Sequence, residues 1–448
     1  MAEQSIHKPF IIKVSTVAAL GGLLFGFDTA IISGTIPYLT SYFHLSDLML
    51  GWAVGCILIG CALGAILAGK LADRYGRKFI LIFCAILFAI SGLGAGLSHT
   101  LNFFVIFRLI GGLGVGAAAM VSPMYIAESV PASWRGRLVS LYQLAIVLGI
   151  LLAYSSNYFF DQFENNWRWM FASQLAPATV FLLMLLLVPE TPRWLLGKGK
   201  HQEGLHVLGL SIGHENALKA YHDILNSFKP KNQQSQTATI QMLFSRNYRR
   251  VIVLGILVAV FQQITGINSI LYYAPVIFKA TGLSASSSIL QTIGIGIINV
   301  ISTFIAIGLV DRVGRKRFLL AGSLLMGLSL TAVALCFQYQ FFENYIVLIF
   351  MLLYVGAFGC TLGAVTWVYL SEVFPNAIRS LALSIATLSL WLADFIVTYS
   401  FPYMTAQLGT SLTMYIYAAC CAIAFIFFYF RLPETKGKTL EEIEHLFI

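Results

Sequence analysis

The sequence predicts an all-α membrane protein of twelve transmembrane helices in two six-helix bundles. Three observations predict it. The 448 residues are 58% hydrophobic and only 10% charged, with a mean hydropathy of +0.82; a soluble protein carries about 25% charged residues. Apolar runs near the roughly 20 residues needed to cross a bilayer recur along the whole chain. The two halves also repeat. Asp73-Arg74-Tyr75-Gly76-Arg77-Lys78 returns 238 residues later as Asp311-Arg312-Val313-Gly314-Arg315-Lys316. Glu128 and Arg135 return as Glu372 and Arg379, and Pro189-Glu190-Thr191 as Pro433-Glu434-Thr435, both 244 residues on. With six spans per half, both halves enter the membrane the same way. That is a parallel pseudo-two-fold repeat about an axis along the membrane normal.

Taken in order, the spans fall at about 12–38, 48–70, 79–98, 101–127, 138–160, 168–188, 250–279, 287–310, 318–337, 345–370, 379–403 and 410–431. The N-terminus MAEQSIHKPF is short and polar. The apolar run behind it is too long for a signal-peptide core, so it is expected to remain as the first span. Lys70, Arg74, Arg77 and Lys78 follow span 2, Arg135 and Arg137 follow span 4, and Arg312, Arg315, Lys316 and Arg317 follow span 8. The loops near 40–47, 99–101, 338–344 and 404–409 carry no Lys or Arg. The positive-inside rule then places the even-numbered span ends and both termini in the cytoplasm. The polar stretch Gly197–Tyr248 separates the spans six and six, with helix-like pieces at His201–Leu210 and Glu215–Phe228 and a low-complexity run at 230–239. The expected division is 1–190, a linker at 191–248, 249–432, and a tail at 433–448.

The net charge of +9 sits in these loops, which excludes a nucleic-acid reading in favour of topology. The seven cysteines form no CxxC pair, and those at Cys56, Cys84, Cys360 and Cys420 lie in apolar runs; the histidines of the linker (His201, His206, His214, His222) lack metal spacing. No metal or cofactor is expected. Gly111, Gly112, Gly114 and Gly116 read as small-residue helix packing, not a nucleotide fingerprint. No nucleophile–base arrangement or phosphate loop stands out, so an enzyme is not expected.

The stretch Phe261–Pro275, FQQITGINSILYYAP, places Gln262, Gln263, Asn268, Tyr272 and Tyr273 inside an apolar segment. Buried amides are costly without partners. At about 100° per residue the three amides do not share one helical face. Gly266 and Pro275 offer a break that turns them inward, tolerated at membrane depth only where backbone lines a cavity. Carboxamides donate and accept together, which suits a ligand with many hydroxyls. The competing reading is that the amides join helix to helix.

These residues resemble the sugar porter family of the major facilitator superfamily, over nearly the whole chain. The likeness covers GKLADRYGRK (69–78), PETPRWL (189–195), FQQITGIN (261–268), LVDRVGRK (309–316), the two Glu-x6-Arg elements and PETKGKTLEE (433–442). It is strongest to bacterial proton-coupled sugar symporters of the xylose, galactose and glucose type. The resemblance implies the major facilitator fold, with two bundles rocking about a central site. It implies a cytoplasmic latch in which Glu128, Arg135, Glu372 and Arg379 pair with Arg74, Arg77, Arg312 and Arg315, beside Asp73 and Asp311. The alternative is that these loop charges only set topology.

Asp28 and Arg108 lie about 15 Å and 10 Å inside their outer span ends, depths compatible with a pair. An intramembrane carboxylate is a functional hypothesis by default, and the family has an acid at this position in its proton-coupled members. The pair is expected to couple the proton; a purely structural salt bridge competes. By position, the resemblance carries sugar binding to Gln143, Gln262, Gln263, Asn268, Tyr272, Asn299, Trp367 and Trp391, with Phe25 closing the pocket from span 1. Amides read hydroxyls and indoles cover C–H faces. Three residues depart from the family: Leu390 where xylose-type relatives have Gln, Asp394 where many have Asn, and Ala364 for a proline of the span-10 motif, with Gly363 left as a hinge.

The expected function is import of a monosaccharide with a proton, at the bacterial inner membrane and as a monomer. The partners expected are the sugar, the proton and membrane lipid. A passive facilitator is opposed by Asp28, a non-transporting sensor by the short tail after Arg431, and a drug antiporter by FQQ-x3-N with PETPRWL.

Overall fold

The computed structural model describes residues 7–228, 246–375, 378–436 and 442, and those residues are helical or form the turns between helices. Eleven helical segments are long and apolar enough to span a bilayer: Lys8–Phe43, Asp47–Tyr75, Arg77–Gly96, Leu101–Ser129, Ser133–Phe160, Asn166–Leu186, Tyr248–Lys279, Ala285–Leu309, Arg315–Gln338, Ile346–Val373 and Leu381–Arg431. The last is 51 residues long, about 76 Å at helical rise and far beyond a hydrocarbon core of about 30 Å. Gly409, at φ 81° and ψ 158°, breaks it. It therefore supplies spans 11 and 12, and the count reaches twelve. The loop expected at 404–409 shrinks to this one residue, because the helix continues through Leu408 and resumes at Thr410.

Span 6 is interrupted by a turn at Ser173 and Gln174, and spans 7 and 10 are broken at depth for different reasons. In span 7, Gly266 takes a left-handed φ of 91° between Ile264 and Ile267. A Cβ there would stand 2.7 Å from the Tyr417 ring, so both backbone and space require glycine. Pro275 lies within Ile267–Lys279 and does not end it; Gly266 alone makes the expected break. In span 10 the break is at Thr361, φ −125° and ψ −92°, between Ile346–Cys360 and Leu362–Val373. The hinge thus lies two residues before Gly363.

The chain forms two compact units. One holds Met1–Thr29, Gly60–Ala153 and Arg168–Gln233; the other holds Ala30–Ile59, Tyr154–Trp167 and Gln234–Ile448. In the first, spans 3 and 4 pack through Gly114 against Leu87 and Phe88. The linker helices His201–Ile212 and His214–Phe228 belong to this unit and bury Leu196, Leu208 and Ala217 together. In the second, rings of Tyr273 and Phe401 stack at 4.8 Å and those of Phe401 and Tyr417 at 6.3 Å, joining spans 7, 11 and 12.

Candidate functional site

In the first unit, Arg108 of span 4 meets Asp28 of span 1 as expected. Its Nη1 donates to Asp28 Oδ1 at 2.5 Å and to the Asp28 carbonyl at 3.1 Å. The side chains are 0% and 1% exposed. The pair is only half satisfied. Asp28 Oδ2 and Arg108 Nε and Nη2 have no hydrogen-bond partner among the described residues. Gly111 leaves room for Oδ2, since a Cβ there would stand 2.7 Å from it. The Arg108 guanidinium lies 5.6 Å from the Phe171 ring centroid, and the buried amide of Gln174 approaches the Asp28 carboxylate. A buried pair with open valences is strongly bonded yet ready to accept another partner.

In the second unit the amides of span 7 form a directed chain. Gln262 Nε2 donates to the Leu362 carbonyl at 3.0 Å, immediately after the span-10 break. Gln263 Nε2 approaches Gln262 Oε1 at 3.4 Å. Asn268 Nδ2 donates to Gln263 Oε1 at 3.0 Å and to Asp394 Oδ2 at 2.7 Å. The break at Gly266 lets Asn268 turn back to meet Gln263, five residues earlier. Tyr272 and Trp391 are buried here, and buried Asn299 lies with its Oδ1 near Gly359 of span 10. Trp367 differs: it is 38% exposed. Phe25 and Gln143 belong to the first unit and are half-buried.

The repeated loops form two equivalent clasps. In the first, Arg77 Nη2 donates to Asp73 Oδ1 at 2.9 Å and Glu128 Oε1 at 3.0 Å, and Thr191 Oγ1 donates to Glu128 Oε2 at 2.7 Å. In the second, Arg315 Nη2 donates to Glu372 Oε1 at 2.8 Å, and Thr435 Oγ1 to Glu372 Oε2 at 2.6 Å. Two expected acid–base pairs therefore form, Glu128 with Arg77 and Glu372 with Arg315. Arg74 instead lies over the Tyr75 ring, Arg135 is exposed, and Arg379 Nε donates to the Phe374 carbonyl at 3.1 Å. The side chains of Asp311 and Arg312 lie outside the described residues.

A family model described as "Sugar (and other) transporter" matches residues 14–447. The chain belongs to the sugar transporter family. It is 41% identical to the D-xylose-proton symporter of Escherichia coli K12, over 98% of this chain and 96% of that one. It is 39% identical to the arabinose-proton symporter of Bacillus subtilis, over 98% and 95%. Its structure resembles the inward open conformation of the xylose transporter XylE from E. coli with TM-score 0.87 and 39% identity, covering 98% of this chain and 100% of that one. It also resembles the proton:xylose symporter XylE bound to 6-bromo-6-deoxy-D-glucose, with TM-score 0.81 and 40% identity over 99% and 100%. The expected fold is thereby borne out: this is a major facilitator sugar porter.

Sequence reasoning about this sugar porter missed the partners that finish the clasps. Glu190 accepts the Lys78 backbone N–H at 2.9 Å; Glu434 accepts those of Arg315 and Lys316 at 2.9 and 3.1 Å. Each carboxylate therefore sits at the N-terminus of the third or ninth span, where free N–H groups and the helix dipole favour an anion. Burial raises the Glu190 carboxyl above its ordinary value, opposed by the Thr191, Lys78 and Arg77 N–H groups and the Arg77 charge. The repeated Pro-Glu-Thr was the available signal. Gln174 carried none, because one amide among apolar residues does not reveal its neighbour.

The clasps also explain the glycines between them. Gly76 and Gly314 lie at φ 103° and 104°, ψ 156° and 148°, a region essentially restricted to glycine. A Cβ would collide with Glu190 at the first and stand 2.7 Å from Glu434 Oε2 at the second. Gly76→Ala and Gly314→Ala should each lower stability by about 1–3 kcal/mol, read as a fall in the thermal midpoint in detergent. Ala at neighbouring exposed Tyr75 should change it far less.

Proposed function

We propose that this sugar transporter is a proton-coupled symporter that imports a pentose or hexose by alternating access. The observation that carries the reading is the buried, half-satisfied Asp28–Arg108 pair in a chain of this family. Protonation of Asp28 from outside would release Arg108 and permit the transition; loss of the proton inside would restore the pair. Gln262, Gln263, Asn268, Tyr272, Asn299, Trp391 and Asp394 bind the sugar, with Phe25, Gln143 and Trp367 contributing from their own elements. The names of relatives as D-xylose-proton and arabinose-proton symporters support the substrate class.

The working halves are the sequence repeats, 1–190 and 249–432, joined by the linker at 191–248 and followed by the tail at 433–448. The clasps serve as the latch, and the ion pairs Arg77–Glu128 and Arg315–Glu372 are the bonds that its opening breaks. The chain sits in the bacterial inner membrane with both termini cytoplasmic, as the loop charges favour. It works as a lipid-embedded monomer, without cofactor and without catalysing a chemical reaction.

The test is the external pH of de-energised vesicles on adding xylose, glucose, galactose, arabinose or myo-inositol. Alkalinisation with one sugar is the expected result and names the substrate. Counterflow of labelled sugar without alkalinisation would make the chain a facilitator. Neither signal with any sugar would overturn transport of these sugars.

A further inference from the structure

The carboxylate of Asp394 differs from that of Asp28 in one respect: it has no cation. It is 1% exposed. Its partners are Asn268 Nδ2 at 2.7 Å and Thr398 Oγ1 at 3.2 Å, both neutral. No charged side chain among the described residues acts on it. The elements packed against this stretch carry their charges elsewhere. Span 9 has Arg315, Lys316 and Arg317 in its first turn, and span 10 has Glu372 near its end, clasped by Arg315 and Thr435. Span 7 offers the phenols of Tyr272 and Tyr273, the latter donating to the Thr398 carbonyl at 3.2 Å. Span 12 offers Tyr417, stacked with Phe401. Span 2, which meets Phe395 and Tyr399 through Trp52 and Gly51, has Asp47 in its first turn, and the first piece of span 7 has Arg249 and Arg250 near its start.

An isolated buried carboxylate binds a proton or finds a counter-charge. The local bonds suit the proton. Thr398 Oγ1 donates to Oδ1 of the charged form; on Oδ1 a proton would reverse that bond, with the hydroxyl oxygen accepting. Asn268 would then keep only a neutral bond to Oδ2, roughly half as strong as a charge-assisted one. Its Nδ2 is otherwise committed to Gln263, so this bond is the one a sugar hydroxyl can displace.

We propose that Asp394 is a second proton-binding site, built into the sugar site and distinct from the Asp28–Arg108 pair, whose occupancy is linked to sugar binding through Asn268. The proton passes from hydronium to Oδ1: an O–H bond of hydronium breaks, the carboxyl O–H bond forms and water leaves, with no other covalent bond changed. The proposal rests on the sugar reading for its link, but not for the proton itself.

The test is therefore made first without sugar. Infrared difference spectra of the purified full chain, titrated from acid to alkaline pH, should show a protonated carboxylic acid band that persists in Asp28→Asn and is lost in Asp394→Asn. Asp394→Glu should retain a shifted band, which separates loss of the acid from misfolding. Absence of an Asp394-dependent band overturns the site. The second stage follows that band while the same sugar panel is added. In Asp28→Asn, sugar affinity should still weaken about tenfold for each pH unit above the Asp394 midpoint. Affinity independent of pH there, or a band unmoved by a sugar that binds, overturns the linkage. If no sugar gives counterflow in the wild type, the sugar reading and the linkage fall, while the sugar-free band still decides whether Asp394 binds a proton. Preferential binding of an amino sugar at alkaline pH would instead make Asp394 a counter-charge for substrate, and would overturn the proton site.

Discussion

Asp28→Asn is expected to keep sugar exchange and lose sugar-driven alkalinisation. The amide preserves shape around Arg108 but has no titratable proton, so the releasing step has nothing to bind. Exchange in vesicles without a gradient, measured beside pH change, separates the two; retained alkalinisation sinks the coupling role. Arg108→Leu is expected to be more damaging. It leaves Asp28 buried without its cation, a change that costs about 3–5 kcal/mol in buried pairs. The double variant Asp28→Leu with Arg108→Leu should recover much of that stability in thermal unfolding, because no charge remains buried. It should not recover symport. A double variant as unstable as Arg108→Leu would mean that the pair is held by packing rather than charge.

The second large effect is expected at Asn268. Asn268→Leu removes the donor shared by Gln263 and Asp394. An unsatisfied buried acceptor costs about 1–3 kcal/mol, more when charged. Sugar exchange should fall by about 10²-fold or more, since a site built to bond a hydroxyl is left with unpaired groups. Asn268→Leu with Asp394→Leu should regain stability without regaining exchange. That non-additivity is what contacting residues show; simple additivity would place the two residues in separate roles.

The fold was largely legible because bilayer length and the parallel repeat are both written one-dimensionally. The break at Gly266 was also legible, since amides that do not share a face demand one. Its partner at Thr361 was not: the strain sits on a residue with no helix-breaking signature, and Gly363 nearby drew the expectation. The missing loop before span 12 escaped for the opposite reason. Apolar residues run on to Gly409, and a single positive φ replaces the polar turn that composition would announce. In the site, the pairing of Asp28 with Arg108 followed from depth, and the inward turn of Gln262, Gln263 and Asn268 from spacing. That Gln262 bonds the span-10 backbone, or that Gln174 approaches Asp28, depends on how distant helices lean together. The repeat revealed Pro-Glu-Thr without saying that its carboxylate caps a helix.

The ring stack of Tyr273, Phe401 and Tyr417 has a mechanical meaning. Spans 11 and 12 meet at the one-residue corner of Gly409, so neither swings freely without the other. The stack pins the second piece of span 7 to both. These three segments therefore form a strut, and the breaks at Gly266 and Thr361, on either side of the bond from Gln262 to Leu362, are where this unit is expected to bend. Paired spectroscopic probes on Tyr403 and Lys279 would hold their separation through a transport cycle, while a pair spanning Thr361 would not. A ligand that engages the amides thus grips the strut near its joint, where the smallest displacement turns it furthest.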